Sequence, residues 1–230
     1  MNFTVREFAS LTELNRESAD CLSGYFRASG AGPHAVMLSG GRTPLAVYDE
    51  LCRRGIKAGP DLTLFFSDER DVGEDSPDSN YGNTKPFLKS LGISPNRIIR
   101  VRTELGWRES AVRYGREIEA FLTAGGRITL GLLGLGSDGH TASLFTPEDI
   151  VRSGGLYAAA IPRTQKPDRI SVTPGLLRRV ERMIILAPGP DKRDIISKLV
   201  HHPEQVVAGM ALKELPSVEI WSVISPSAPA

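Results

Sequence analysis

Apolar residues in this chain form short, nearly unbroken runs: A-V-M-L at 35–38, L-T-L-F-F at 62–66, I-T-L-G-L-L-G at 128–134 and M-I-I-L-A at 183–187. Between the runs lie stretches where apolar residues recur every three or four positions, the period of a helix face. Runs without polar alternation mark strands covered on both faces. The pattern predicts strands at Ala35–Leu38, Leu62–Phe66, Ile98–Val101, Ile128–Gly134, Leu156–Ile161, Arg169–Thr173, Met183–Ala187 and Val218–Val223. It predicts helices at Phe8–Ala28, Pro44–Arg54, Tyr81–Leu91, Trp107–Ala124, Asp191–Leu199 and Pro203–Met210. Strands alternating with long helices imply βαβ units. The expected fold class is therefore α/β, with an open, mainly parallel sheet and helices on both faces. No repeat, heptad or linker interrupts the chain, so residues 1–230 read as a single domain. The final S-P-S-A-P-A, 225–230, reads as a frayed tail.

Composition narrows the picture. Apolar residues make up 40% of the 230, enough for a sizeable core, and 24% are charged. The formal net charge is +1. Bulk charge thus argues against nucleic acid or an anionic membrane as partner, and any anion site must be local. No run approaches the length of a membrane span. The N-terminal M-N-F-T-V-R-E-F lacks the basic-then-apolar order of a signal peptide. These features together predict a cytoplasmic protein. Cys21 and Cys52 lack metal or C-x-x-C spacing and read as buried free thiols.

In a parallel α/β sheet ligands bind beyond the carboxyl ends of the strands. Three polar clusters stand there. Ser39-Gly40-Gly41-Arg42-Thr43-Pro44 follows A-V-M-L. Its glycines let backbone approach a ligand, and N–H groups and hydroxyls at a helix start can hold an anion. It has neither the P-loop lysine nor the G-x-G-x-x-G spacing, and a plain strand-to-helix turn would carry the same residues. Ser67-Asp68-Glu69-Arg70 follows L-T-L-F-F. It offers carboxylates for proton work or orientation and a guanidinium fork for phosphate; a loop salt bridge is the alternative. The acids beyond it, up to Asp78, read as a solvated loop without calcium-site spacing.

The third cluster is Gly134-Leu135-Gly136-Ser137-Asp138-Gly139-His140-Thr141. A histidine in a glycine loop at a strand end is placed to take a proton near neutral pH, and Asp138 two residues before it can fix its tautomer. Thr141 is expected to start a helix. Arg169 and Lys192 are further candidate cations, each equally readable as a surface residue. His34 reads as structural and His201-His202 as surface. No cysteine or metal signature accompanies these groups, and the set suits a phosphorylated small molecule undergoing proton transfer or hydrolysis.

The motifs S-G-G-R-T-P, F-S-D-E-R with P-D-S-N-Y-G, and G-L-G-S-D-G-H-T-A-S-L-F resemble those of the 6-phosphogluconolactonases. These share a superfamily and a Rossmann-like fold with the glucosamine-6-phosphate deaminases. The resemblance continues through K-P-D-R-I-S-V-T and G-P-D-K to about Trp221. Ala142-Ser143-Leu144-Phe145 takes the lactonase form, without the deaminase glutamate. The resemblance implies hydrolysis of 6-phosphoglucono-1,5-lactone, with His140 as base and Asp138 beside it. Ser39, Gly40, Gly41, Arg42, Thr43, Asp68, Arg70, Arg169 and Lys192 would hold substrate, chiefly its phosphate. The reaction as usually drawn needs no metal or organic cofactor. The sequence departs from the family pattern at Arg42, where a small residue is usual, at Asp71, which replaces an aromatic, and at Thr146 before Pro147. A sugar-phosphate isomerase or deaminase, and a non-catalytic sugar-phosphate sensor, are the competing readings.

Overall fold

Seven parallel strands form the centre of the molecule. A computed structural model describes residues 2–223; the tail expected at 225–230 lies outside them. In chain order the elements are β1 (Asn2–Glu7), α1 (Leu11–Arg27), β2 (His34–Leu38), α2 (Arg42–Arg53), β3 (Leu62–Phe66), β4 (Asp68–Arg70), α3 (Asn80–Leu91), β5 (Ile98–Ile99) and α4 (Trp107–Thr123). They continue with β6 (Arg127–Gly134), α5 (Pro147–Arg152), β7 (Ala158–Ile161), β8 (Arg169–Val172), α6 (Pro174–Leu177), β9 (Met183–Leu186), α7 (Arg193–His201), α8 (Val207–Leu212) and β10 (Ser217–Ser222). The main sheet runs β1-β10-β9-β6-β2-β3-β5.

Alternate strand residues feed two cores, one on each face. Val36, Leu38, Leu64 and Leu132 pack under α1, α2 and α3 with Leu22, Tyr48 and Phe87. Ala35, Met37, Phe65 and Leu133 pack on the opposite face with Tyr114 and Ile118 of α4 and Leu199 of α7. This is why the strands read as continuous apolar runs: both faces are dry. Two buried tyrosines tie strand ends to helices. Tyr48 donates to the carbonyl of Ser39 at 2.9 Å, and Tyr114 donates to that of Phe66 at 2.6 Å. Burial raises both phenols, so they remain donors.

The structure departs from the sequence pattern in several places. β1 has no counterpart among the expected strands, because it buries only Phe3 and its edge position leaves no pattern. Residues 68–70 form a strand rather than a loop; β4 pairs with β8, and β8 with β7, in a separate antiparallel sheet. β7 and β8 therefore lie outside the parallel sheet that the alternation predicts. Thr141 starts no helix: it bridges to Leu144, and the next helix begins at Pro147, capped by Thr146. The extra Thr146 is thus a helix cap, its hydroxyl accepting from Asp149 N–H at 3.3 Å. Cys21 and Cys52 are free but half-buried. His34 is structural as expected, its ring bonded to the Tyr25 carbonyl, and His201 and His202 are exposed. No helix among the described residues is long and apolar enough to cross a membrane.

Candidate active site

The chain leaves β2 toward β3 on one side and returns through β6 on the other. Loops at the carboxyl ends of β2 and β6 therefore part, which opens a crevice. A cleft of about 190 Å³ occupies it, lined by Ser39, Gly40, Asp68, Arg70, Asn80, Gly134, Leu135, Gly136, His140 and Ala142.

The loop after β6 is a tight glycine turn. Gly136 N–H donates to the His140 carbonyl at 2.9 Å, and Gly139 N–H to that of Gly136 at 3.0 Å. Gly139 has φ of 85° and Ala142 a φ of 49°. An alanine in the left-handed region carries strain, and here that strain borders the cleft. The turn brings His140 Nδ1 to 2.5 Å from Asp138 Oδ1. A carboxylate only accepts, so the ring proton lies on Nδ1 and Nε2 keeps its lone pair. Burial pushes the Asp138 carboxyl up, but the hydrogen bonds and charge it shares with His140 outweigh this and hold it below the usual range. Asp138 is thus ionised at neutral pH and fixes the tautomer.

Gly136 is required by this pair. A Cβ there would stand 2.1 Å from His140 Nδ1 and 2.3 Å from Asp138 Oδ1. Gly136→Ala is expected to displace both side chains and lower turnover by roughly 10- to 100-fold, since misplacing a reacting group by about 1 Å has that scale. Steady-state rates beside a circular dichroism spectrum would check it; a folded variant with normal turnover would contradict it.

The cations and acids beside the loop come from the small antiparallel sheet. Arg70 stands opposite Arg169 across β4 and β8. Arg70 donates to the Asp78 carbonyl at 2.6 Å, while its Nε is buried without a hydrogen-bond partner among the described residues. Burial, and next the like charge of Arg70, lower the Arg169 guanidinium from its ordinary value. Two neighbouring guanidiniums with spare donors favour a bound anion. Asp68 is buried, and its carboxylate accepts from Ser67 at 2.9 Å and Ser143 at 2.7 Å. Glu69 is buried too and faces α3: it accepts from the N–H groups of Asn80 and Tyr81, both at 2.7 Å. The start of α3, a natural anion site, is therefore filled by the protein's own carboxylate. Asn80 is buried at the cleft and donates to the Asp68 carbonyl at 2.9 Å. A Cβ on Gly40 would fall 1.9 Å from its Oδ1, so Gly40 lets the β2 loop meet α3.

A family model described as glucosamine-6-phosphate isomerases/6-phosphogluconolactonase matches residues 10–218. The chain belongs to this family. A 6-phosphogluconolactonase of Homo sapiens is 31% identical over 208 residues, covering 86% of this chain and 78% of that protein. One of Treponema pallidum is 32% identical over 181 residues, 75% of this chain and 74% of that protein. The solved structure of the 6-phosphogluconolactonase from Trypanosoma cruzi has a TM-score of 0.79 and 25% identity, covering 96% of each chain.

Of the candidate residues in this family member, Ser39, Gly40, Asp68, Arg70 and His140 share one cleft, with Asp138 behind His140 and Arg169 beside Arg70. Arg42 and Thr43 line a different hollow, of about 690 Å³, with Leu11, Asn15 and Pro188–Pro190. Gly41 is the cap residue of α2, at φ of 96°. Lys192 pairs with Asp191 at 3.3 Å and does not line the His140 cleft. Asn80, Ala142 and Ser143 are site residues that the sequence places in motifs, Ala142 and Ser143 in the run of lactonase form, without assigning them to the site. P-D-S-N-Y-G is visible as a motif, but nothing in one chain ties Asn80 to a glycine forty residues earlier.

Proposed function

We propose that this chain hydrolyses 6-phospho-D-glucono-1,5-lactone to 6-phospho-D-gluconate, the second step of the oxidative pentose phosphate pathway, in the cytoplasm. The observation that carries the reading is the His140–Asp138 pair at 2.5 Å, on a glycine loop facing a cleft that also holds Arg70. His140 Nε2 takes a proton from water as its oxygen attacks the lactone carbonyl. The resulting tetrahedral centre expels the ring oxygen, and the imidazolium returns the proton to it. Asp138 stabilises the charged ring in between. The lactone is already reactive, so positioning and a base suffice, the base contributing roughly 10²- to 10⁴-fold. Arg70 and Arg169 hold the phosphate in this reading.

The test is enzyme-dependent hydrolysis, corrected for the spontaneous rate, of the 6-phosphorylated lactone and of plain gluconolactone. Each charge-assisted contact contributes about 1.5–3 kcal/mol, so kcat/KM for the plain lactone is expected to be lower by roughly 10-fold or more. Equal turnover of the two, or no turnover of either, would refute the reading. Deamination of glucosamine-6-phosphate by the same preparation would favour the sister activity instead.

A further inference from the structure

His140 is stacked on a second ring, and that ring carries a cation. The Phe145 and His140 ring centroids lie 4.6 Å apart, tilted by 37°. The guanidinium carbon of Arg163 stands 3.6 Å from the centre of the Phe145 ring. Arg163 sits in the β7–β8 loop, far from the catalytic loop in sequence, and its own backbone is tied down: its N–H donates to Asp168 Oδ1 at 2.8 Å. Phe145 is held from the other side, its N–H donating to the buried Asp149 of α5 at 3.0 Å. The Arg163 side chain has no ion-pair partner among the described residues, since Asp168 takes Lys166 instead. Phe145 thus touches both the Arg163 guanidinium and the tilted His140 imidazole, and both flanking loops are anchored.

We propose that Arg163 is a positioning residue for the base: its guanidinium holds the Phe145 ring, and Phe145 in turn sets the place of the His140 ring. A cation over an aromatic face is attracted by the ring quadrupole. With its backbone pinned, Phe145 then restricts the tilt of the imidazole and so the direction in which Nε2 points.

The role in turnover rests on the lactonase reading, so one readout dispenses with substrate. Arg163→Met keeps the stem and removes the charge; Arg163→Lys keeps a cation. In NMR spectra of labelled histidine, with His140 assigned by its loss in His140→Gln, the His140 ring signals are expected to move in Arg163→Met, and Arg163→Lys should restore most of their position. In lactone hydrolysis the kcat of Arg163→Met should fall about 3- to 10-fold with KM within about twofold, the signature of misplacement rather than weakened substrate binding, and Arg163→Lys should recover most of it. Unmoved His140 ring signals or an unchanged kcat would overturn the proposal. So would a raised KM at unchanged kcat, which would make Arg163 a substrate contact. Moved His140 signals in Arg163→Met, with no lactonase activity in the wild type, would leave the Arg163–Phe145–His140 contact standing and remove the lactonase reading.

Discussion

Replacing His140 by alanine is expected to lower turnover by at least about 100-fold, the scale of a missing general base. Among the described residues that line the cleft no other base is free: both oxygens of Asp68 hold hydroxyl donors, and the neighbouring Glu69 is turned into α3. The protein should remain folded, because the His140 side chain is part-exposed and its ring bonds to Asp138, two residues away. A loop change of this kind costs within about 1 kcal/mol. Asp138→Asn should lose less, since the ring keeps its place between Phe145 and the turn. Its acid limb should move to lower pH: the carboxylate favours the imidazolium, and without it the ring protonates less readily. Rate against pH for the wild type and these variants, with circular dichroism to confirm folding, decides the matter. A folded His140→Ala protein with a near-normal rate and an unchanged profile would remove His140 as the base.

Arg70→Ala is expected to raise KM by roughly 10- to 100-fold while kcat stays within about threefold. A guanidinium holding the phosphate, remote from the reacting carbonyl, binds ground and transition states equally. Each charge-assisted bond is worth about 1.5–3 kcal/mol, and Arg70 brings a buried Nε without a partner among the described residues. The same substitution relieves the repulsion that Arg169 feels from Arg70. The variant should therefore lose little stability by itself, yet show less of the thermal stabilisation that 6-phosphogluconate is expected to give the wild type. Arg70→Lys should recover part of the affinity but not all, because a point charge cannot fork two oxygens. Measured kcat falling with KM unchanged would move Arg70 from binding to the chemical step.

The alternation of apolar runs and helical periods determined the α/β class. The runs A-V-M-L, L-T-L-F-F and M-I-I-L-A became the buried strands β2, β3 and β9 because a strand dry on both faces has no polar alternation to hide. The strand-end motifs likewise located Ser39, Asp68, Arg70, Asp138 and His140, since local glycine turns after strands are legible in one stretch of chain. Polar β4 was invisible: Asp-Glu-Arg is a strand only because β8 lies beside it. The same pairing sets Arg70 against Arg169, about one hundred residues apart in the chain. Tertiary packing alone decided that Glu69 caps α3 while its neighbour Asp68 faces the cleft, because alternate strand residues point to opposite sides. It also decided that Arg42 and Thr43 open onto a separate hollow, and that Phe145 links Arg163 to His140. A sequence records which groups are present near a turn; which of them face one another depends on the direction in which each element crosses the sheet.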